Sequence, residues 1–194
     1  MVLIAVSVAD APKAVQILSD ARLQKAAALK NKDDQARSLC AGLALDACLR
    51  TVGLRERDVT VKTDPRGKPF LADHPALHFS LSHSGEYAVC ALDDAPIGVD
   101  IEQLREIDTA RLAKRTFGIT ESLTLDAFFA LWTRKESYLK AVGIGLKGLH
   151  TEPDDTWHFK MYPLNGYSLT VCSQKSVFTP SLLAFSDDDT VLPR

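Results

Sequence analysis

Residues 98–102 read Gly-Val-Asp-Ile-Glu and end an apolar, β-branched run, which is typical of a β-strand. Side chains at i and i+2 of a strand share one face, so Asp100 and Glu102 are predicted to lie side by side. Two adjacent carboxylates repel each other, and a hard divalent cation between them is the usual compensation. The stretch therefore indicates a strand that presents a metal site, with two ordinary surface acids at a strand end as the alternative.

A second stretch, Trp132-Thr-Arg-Lys-Glu-Ser-Tyr-Leu-Lys140, has helical spacing. Glu136 is a candidate third oxygen ligand for the cation. Lys140, one turn beyond it, and Lys135 would add positive charge at the same place, which suits a ligand with several phosphates. Trp132 is predicted to be a core residue on the helix face opposite much of this charge. An ordinary exposed ion pair between Glu136 and Lys140 is the alternative interpretation.

Together the two stretches resemble the paired signature of the 4'-phosphopantetheinyl transferases, specifically the Sfp type. Three further stretches agree with that family in order and spacing, so that the resemblance covers residues 67–143. They are Gly67-Lys68-Pro69, His78-Phe79-Ser80-Leu81-Ser82-His83-Ser84-Gly85, and Lys114-Arg115-Thr116-Phe117 with Glu121. One short pattern recurs by chance, whereas five in register specify the family.

The resemblance implies an enzyme that moves the phosphopantetheine arm of coenzyme A onto a serine of an apo acyl or peptidyl carrier protein, releasing 3',5'-ADP. It implies Mg²⁺ held by Asp100, Glu102 and Glu136 against the coenzyme A pyrophosphate. Glu136, or a water on the metal, would take the proton of the serine, and Lys140 would offset pyrophosphate charge. Glu136, Lys140 and Asp100 are thus the implied catalytic residues. Positioning and charge neutralisation dominate phosphoryl transfer, and this set supplies both.

The nucleotide end of coenzyme A maps onto a wider set of residues. The implied contacts are Arg22, Lys25, Arg37, Ser38, Lys68, Pro69, Ser82, His83, Lys135 and Lys140. Arg22 and Lys25 are three apart, as one helical face requires, but a solvated helix face has the same spacing. For His83 the alternative is a turn histidine satisfied by backbone, although the flanking serines offer further donors to an oxyanion.

Composition and charge narrow the class of protein. The chain has 194 residues, 46% of them hydrophobic, which predicts one compact unit over 1–194. Residues 1–70 carry 12 basic and 8 acidic side chains, and residues 71–131 carry 4 basic and 10 acidic ones. This asymmetry fits a protein that holds a polyanion on one side and a cation on the other. A pI of about 6.2 argues against nucleic acid as a partner.

The cysteines and the hydropathy pattern indicate a cytoplasmic protein that does not enter a membrane, and we expect it to be a monomer. There is no run of eighteen uncharged apolar residues, and the apolar start at 1–9 lacks the basic region of a signal peptide. The four cysteines have no CxxC spacing and are predicted to be buried reduced thiols.

The periodicity of the chain predicts an α+β fold. Helices are expected at 12–30, 34–52, 108–117 and 121–142, and strands at 1–9, 59–63, 77–82, 86–92, 97–102, 157–162, 167–172 and 181–186. Asp33 or Asp34 is expected to cap the second helix. The run at 65–69, Pro-Arg-Gly-Lys-Pro, predicts a loop, and residues 187–194 a mobile tail.

An internal echo suggests two related halves. His78-Phe79 stands nine residues before Tyr87, and His158-Phe159 stands nine before Tyr167, with chance similarity of two hairpins as the rival explanation. The resembled family has a pseudo-twofold pair of such α+β halves, each with a small antiparallel sheet packed by helices and the active site in the cleft between them. Here the halves would be 1–103 and 104–186. The second half has no counterpart of Asp100 and Glu102, which implies one site per chain.

Two further expectations concern partners and rival functions. Arg111, Lys114 and Arg115, beside Phe117, form a basic stripe that would suit docking of an acidic, helical carrier protein, or else a solvated helix surface. The rival functions are a metal-dependent hydrolase of nucleotide pyrophosphates and a non-catalytic protein that binds coenzyme A or a carrier.

Overall fold

The structure is a computed structural model that describes residues 1–176 and 182–185, so the predicted mobile tail at 187–194 lies outside the described residues. The strands are β1 (Val2–Ser7), β2 (Val61–Thr63), β3 (Pro69–Leu71), β4 (His78–Ser84), β5 (Tyr87–Asp93), β6 (Ile97–Gln103), β7 (His158–Leu164), β8 (Tyr167–Ser173) and β9 (Leu182–Ala184). The α-helices are α1 (Ala14–Ile17), α2 (Asp20–Ala27), α3 (Lys32–Arg50), α4 (Thr109–Phe117) and α5 (Leu125–Val142). Short 3₁₀ turns occupy Val8–Lys13, Glu56–Asp58 and Gly145–Gly148.

Two small antiparallel units repeat the same order of elements. The first sheet runs β4-β5-β1-β9 and the second runs β6-β8-β7, while β2 and β3 form a separate ribbon. In each unit a strand leads through helices to a hairpin, whose second strand pairs antiparallel with the first strand of the unit. This confirms the α+β fold class and the pair of similar halves that the hairpin echo predicted.

The boundary between the halves differs from the predicted one at residue 103. Strand β6 (97–103) belongs to the second sheet, where Asp100 lies opposite Thr170 of β8. Strand β9 returns to the first sheet and pairs in parallel with β1. Sheet membership therefore divides the chain just before β6, and the chain returns to the first half near its end.

Several element ends differ from the sequence-based prediction. The helix predicted over 12–30 is broken into a 3₁₀ turn, α1 and α2. Pro12 lies inside the 3₁₀ turn, and Ser19 is extended and caps α2 by accepting from the Arg22 amide. Asn31, and neither predicted aspartate, caps α3. The last helix begins at 125 and not at 121, behind the N-cap Thr124. Pro69, expected in the loop, is the first residue of β3.

Helices α3 and α5 form the centre of the two halves. Ten consecutive residues of α3, 40–49, are buried, because this helix packs on β5 and β1 and is enclosed by the other helices of the first half. Helix α5 packs in the same way on β6 and β8. All four cysteines are free and buried, as predicted. Burial raises the pKa of the Cys40 thiol to about 12, which keeps it protonated and unreactive.

None of the described helices combines the length and the apolar content needed to cross a lipid bilayer.

Gly98 sets the distance between β6 and α5. A Cβ atom at this position would lie 1.9 Å from the Ser137 carbonyl oxygen and 2.6 Å from the Ala141 amide nitrogen. Both of these are backbone atoms of α5, which cannot rotate away as the end of a side chain does. Only glycine therefore allows α5 to lie this close to the strand that carries Asp100 and Glu102.

We expect Gly98→Ala to lower the free energy of unfolding by more than about 3 kcal/mol, because the helix must move off the strand and leave the core underpacked. Gly166→Ala is the control: its φ is +75°, but nothing lies within 4 Å of the added methyl group. The control should cost about 1–2 kcal/mol through backbone strain alone. Urea denaturation followed by circular dichroism measures both, and equal losses would contradict the close-contact argument.

Candidate active site

Three serines of β4 connect the first sheet to the second. The backbone amides of Val99, Ile101 and Gln103 donate to the hydroxyls of Ser80 (3.0 Å), Ser82 (3.4 Å) and Ser84 (3.0 Å), respectively. Alternate residues of a strand share one face, which is why serines two apart meet amides two apart. The outer edge of β6 is thus satisfied by side chains where a further strand would otherwise pair, and Asp100 and Glu102 are placed against the first half.

Asp100 lies at the bottom of this junction and is 4% exposed. Its Oδ1 accepts from the Ser82 hydroxyl at 2.8 Å and from the Lys140 ammonium at 2.7 Å. Its Oδ2 is buried and has no hydrogen-bond partner in the described part of the chain. Burial raises the pKa of Asp100, and Lys140 opposes the shift. An unpartnered buried carboxylate oxygen is costly, and a cation is the chemistry that would satisfy it.

Glu102 and Glu136 face the same space as Asp100. Glu102 Oε2 accepts from the Ser84 hydroxyl at 3.0 Å and from Arg105 at 3.1 Å. Burial raises the pKa of Glu136, and the negative charges of Asp100 and Glu102 raise it further. All three carboxylates line one cavity of about 610 Å³.

The three acids do not form a complete metal cage by themselves. Within residues 1–176 and 182–185, no three His, Cys, Asp or Glu side chains are grouped closely enough to hold an ion on their own. Mg²⁺ is usually bound through one or two carboxylates together with substrate phosphates and water. Hard oxygen donors and one unpartnered oxygen therefore fit an ion that arrives with a phosphorylated ligand.

Lys140 and Lys135 lie on different sides of α5, and this corrects the expectation that both add charge to the site. Lys140 lines the cavity and donates to Asp100 and to Ser82 at 2.8 Å. Lys135 is buried away from it, where its ammonium donates to the Thr151 carbonyl at 3.0 Å and to the Glu152 carboxylate. Lys135 therefore holds the segment after α5 and has no path to a ligand in the cavity.

Trp132 is also placed differently from the expectation. It is half-buried, stacks on Phe128 and lines the cavity together with Glu136. Trp132 and Glu136 are one helical turn apart and share a face. The tryptophan is thus both a packing residue and part of the cavity wall.

The basic end of the cavity comes from the first half of the chain. Arg22, Lys25, Ser38 and His83 line the same cavity as the acids. Loss of solvent around the ring, and then the charges of Lys140 and Arg37, lower the pKa of His83. These four residues belong to the sequence-based set, and Ser82 of that set lines the cavity as well. Arg37 does not line the cavity and pairs with Asp34 at 2.6 Å.

Lys68 and Pro69 line a neighbouring cavity of about 220 Å³, which Lys140 and Leu81 also border. The Lys68 ammonium donates to the Ala141 carbonyl at the last turn of α5. A cation is favourable at the carboxyl end of a helix. Burial lowers the pKa of Lys68. Lys68 therefore also satisfies a carbonyl at the end of α5, a contact that the sequence did not suggest.

Sequence reasoning missed the buried Glu56, which is 3% exposed. Its carboxylate accepts from the Ser19 amide at 2.9 Å, the Ser19 hydroxyl at 3.3 Å and Arg22 Nε at 3.2 Å. Glu56 thereby fixes both the start of α2 and the guanidinium that this helix carries to the cavity. The partners are 34 and 37 residues away from it in sequence, so no local pattern could have identified it.

The predicted docking stripe lies on α4. Arg111 is 78% exposed on its side chain and lies 3.6 Å from Asp108. Phe117 is half-buried and contacts Phe128 of α5 edge-on. The stripe is thus presented on a helix whose apolar side is anchored to α5.

Comparison with known proteins gives matches over both halves. Residues 96–186 match the family described as the 4'-phosphopantetheinyl transferase superfamily, and residues 7–94 match one described as 4'-phosphopantetheinyl transferase, N-terminal. The chain is 30% identical to the 4'-phosphopantetheinyl transferase Sfp of Bacillus subtilis (strain 168), over 90% of each chain. It is 33% identical to a 4'-phosphopantetheinyl transferase of Bacillus subtilis over 72% of this chain and 66% of the relative. With 4'-phosphopantetheinyl transferase psf-1 of Bacillus pumilus it shares 40% identity over 45% of this chain and 41% of the relative. The two family matches meet just before β6, where sheet membership also divides the chain.

The serine junction makes a prediction about stability. Ser80→Ala should lower the free energy of unfolding by about 1–3 kcal/mol, because the buried Val99 amide would lose its acceptor. Ser84→Ala, whose amide partner Gln103 is exposed and can turn to water, should cost less than about 1 kcal/mol. Urea unfolding curves of the two variants measure the difference. A larger loss for Ser84→Ala would mean that the junction is not held as described.

Proposed function

The chain belongs to the 4'-phosphopantetheinyl transferase superfamily, and from this premise we propose that it transfers the phosphopantetheine arm of coenzyme A to a serine of an apo carrier protein in a Mg²⁺-dependent reaction. The observation that carries the proposal is the shared cavity. It joins Asp100, Glu102, Glu136 and Lys140 from the second half to Arg22 and Lys25 from the first. A cavity lined by acids and a lysine of the second half and by basic residues of the first suits coenzyme A, which carries a pyrophosphate at the reacting centre and a separate 3'-phosphate.

In the proposed reaction the serine oxygen attacks the phosphorus that carries the pantetheine arm. A new bond forms between that phosphorus and the serine oxygen, and the bond to the bridging oxygen of the pyrophosphate breaks. The leaving group is 3',5'-ADP, and the serine proton goes to a carboxylate. The reactants are coenzyme A and the apo carrier, and the products are the modified carrier, 3',5'-ADP and the proton taken from the serine. Atoms and charge therefore balance without a further reactant.

Glu136 is the carboxylate that we assign to take the proton. Glu136 lines the cavity together with Asp100 and Lys140, and as an ionised carboxylate it can accept the serine proton. Glu136 is on the rigid α5, held to β6 by the contact at Gly98. The proton acceptor is therefore fixed relative to Asp100 and does not depend on a mobile loop.

Lys140 is the cation that we assign to the pyrophosphate. Its ammonium is 2.7 Å from Asp100 Oδ1 and borders both the acidic cavity and the one that Lys68 lines. It can offset the charge that develops on the bridging oxygen as the leaving group departs. Arg22, Lys25 and His83 would hold the 3'-phosphate at the other end of the cavity. The basic face of α4, with Arg111, Lys114 and Arg115, would meet the acidic carrier.

Asp100, Glu102 and Glu136 would hold Mg²⁺, with Asp100 Oδ2 as the oxygen that has no other partner among the described residues. When bound, the ion neutralises pyrophosphate charge and orients its oxygens.

We expect Glu136→Gln to reduce arm transfer at least about 100-fold, because the variant keeps the size of the side chain but removes the proton acceptor. Mass spectrometry of an apo carrier incubated with coenzyme A and Mg²⁺ measures the added arm. Glu121→Gln, an exposed glutamate, is the matched control and should be within about twofold of the unchanged protein. Normal modification by Glu136→Gln would remove this residue from the mechanism. Release of 3',5'-ADP without a carrier would indicate a pyrophosphate hydrolase.

Magnesium should stabilise the protein in a pH-dependent way. The raised pKa values of Asp100 and Glu136 mean that, without metal, their contribution to stability is fully present at acid pH and is lost as the pH rises through the folded-state pKa. Bound Mg²⁺ compensates the ionised forms, so the melting temperature should rise with MgCl₂ near pH 7.5 and respond much less near pH 5. Differential scanning calorimetry at matched ionic strength in NaCl is the measurement. An equal response in Glu136→Gln would argue against this site.

A further inference from the structure

Two serine hydroxyls of β4 contact the acids that the proposed function assigns to the metal. Ser82 is 2.8 Å from Asp100 Oδ1, and Ser84 is 3.0 Å from Glu102 Oε2. The expectation from the sequence placed Ser82 at the 3'-phosphate instead. Ser82 is 7% exposed and lines the cavity that Arg22 and His83 also line, while its hydroxyl is bonded to Asp100 and Lys140.

The hydrogen-bonding capacity of the Ser82 hydroxyl is fully used. A serine hydroxyl has one proton to donate and two lone pairs. Lys140 and the Ile101 amide can only donate to it, at 2.8 and 3.4 Å, so its own proton goes to Asp100. The same reasoning applies to Ser84, which accepts from the Gln103 amide and donates to Glu102.

Each hydroxyl therefore holds one defined oxygen of a carboxylate. For Asp100 this leaves Oδ2, which is buried and without a partner among the described residues. For Glu102 both recorded bonds, from Ser84 and from Arg105, go to Oε2. A carboxylate tied by one oxygen cannot rotate freely about its last bond, so the orientation of the other oxygen is fixed.

We infer that Ser82 and Ser84 are positioning residues for the metal-binding carboxylates, each holding one oxygen of Asp100 or Glu102 so that the other is presented to the cation. The inference rests on the magnesium site of the proposed function. Groups that orient metal ligands through hydrogen bonds typically change metal affinity 10–100-fold when they are removed. Two adjacent acids on one strand also need such restraint, because their mutual repulsion would otherwise turn them apart.

Ser80 provides an internal control on the same strand. It accepts from the Val99 amide, two residues before the Ile101 amide that Ser82 accepts from, but within residues 1–176 and 182–185 it has no hydrogen bond to a carboxylate. Its removal should disturb the junction between the sheets without releasing a metal ligand. The three serines thus separate a structural effect from a positioning effect.

The test is isothermal titration of Mg²⁺ into the full chain and its variants, each saturated with coenzyme A, with the titration of Mg²⁺ into coenzyme A alone subtracted, because the acids are expected to bind the ion together with the ligand phosphates. Ser84→Ala should raise the dissociation constant for Mg²⁺ about tenfold with little loss of stability, whereas Ser80→Ala should lose stability and keep the affinity within about twofold. Ser84→Thr retains the hydroxyl and should restore the affinity of the unchanged protein. Ser82→Ala should also weaken Mg²⁺ binding, but it releases Lys140 as well, so Ser84 gives the cleaner result.

The outcomes are distinguishable. Equal affinities of the unchanged protein and Ser84→Ala would overturn the inference and leave the metal site in place. Equal weakening in Ser80→Ala and Ser84→Ala would assign the effect to the junction as a whole and would overturn it too. If the unchanged protein binds no Mg²⁺ in the presence of coenzyme A, the proposed metal site itself fails, and the inference fails with it.

Discussion

The close contact between β6 and α5 is the constraint on which the rest of the site depends. Gly98 has no side chain, and the backbone of α5 occupies the space that a Cβ would take. This contact brings Glu136 and Lys140 beside Asp100 across a buried interface. The residue that decides the site geometry therefore has no chemistry of its own. Because Gly98 has no Cβ, the rigid strand β6 and the rigid helix α5 can pack closer together than any other residue would allow.

The edges of the two sheets are satisfied in different ways, and Asp100 and Glu102 lie on the strand whose edge meets side chains instead of another strand. In the first sheet, β1 is covered by β9, which pairs with it in parallel. In the second sheet, the corresponding strand β6 meets the serine hydroxyls of β4. A strand covered by another strand has no room for ligands along that edge, whereas an edge met by short hydroxyl side chains leaves neighbouring carboxylates near open space. The two halves are similar in fold, but of these two edges only that of β6 leaves space beside it for the candidate site.

The sequence predicted much of this architecture because its strongest signals are local. The hairpins around Gly85 and Gly166 and the two buried helices follow from periodicity and turn residues. The break at Ser19 is hidden in the sequence because apolar spacing continues across it, although Pro12 and the capping serine mark the ends of the separate pieces. The prediction that Lys135 adds charge to the site was wrong, and helix geometry alone argues against it. Five residues along a helix correspond to a rotation of about 140°, so Lys135 and Lys140 cannot share a face, whereas Glu136 and Lys140 do.

Other parts of the site could not have been read from the sequence, because they depend on pairs of residues that only the fold brings together. Glu56 reaches Arg22 across 34 residues, and the hydroxyl of Ser82 reaches Lys140 across 58. In both cases a polar group inside the protein orients a cation at the cavity wall. The family stretches include Lys140 and Ser82 but not the contact between them, and Glu56 lies outside all of these stretches. The site is therefore best understood as a set of charges held by buried hydrogen bonds, in which the first half of the chain restrains the acids of the second.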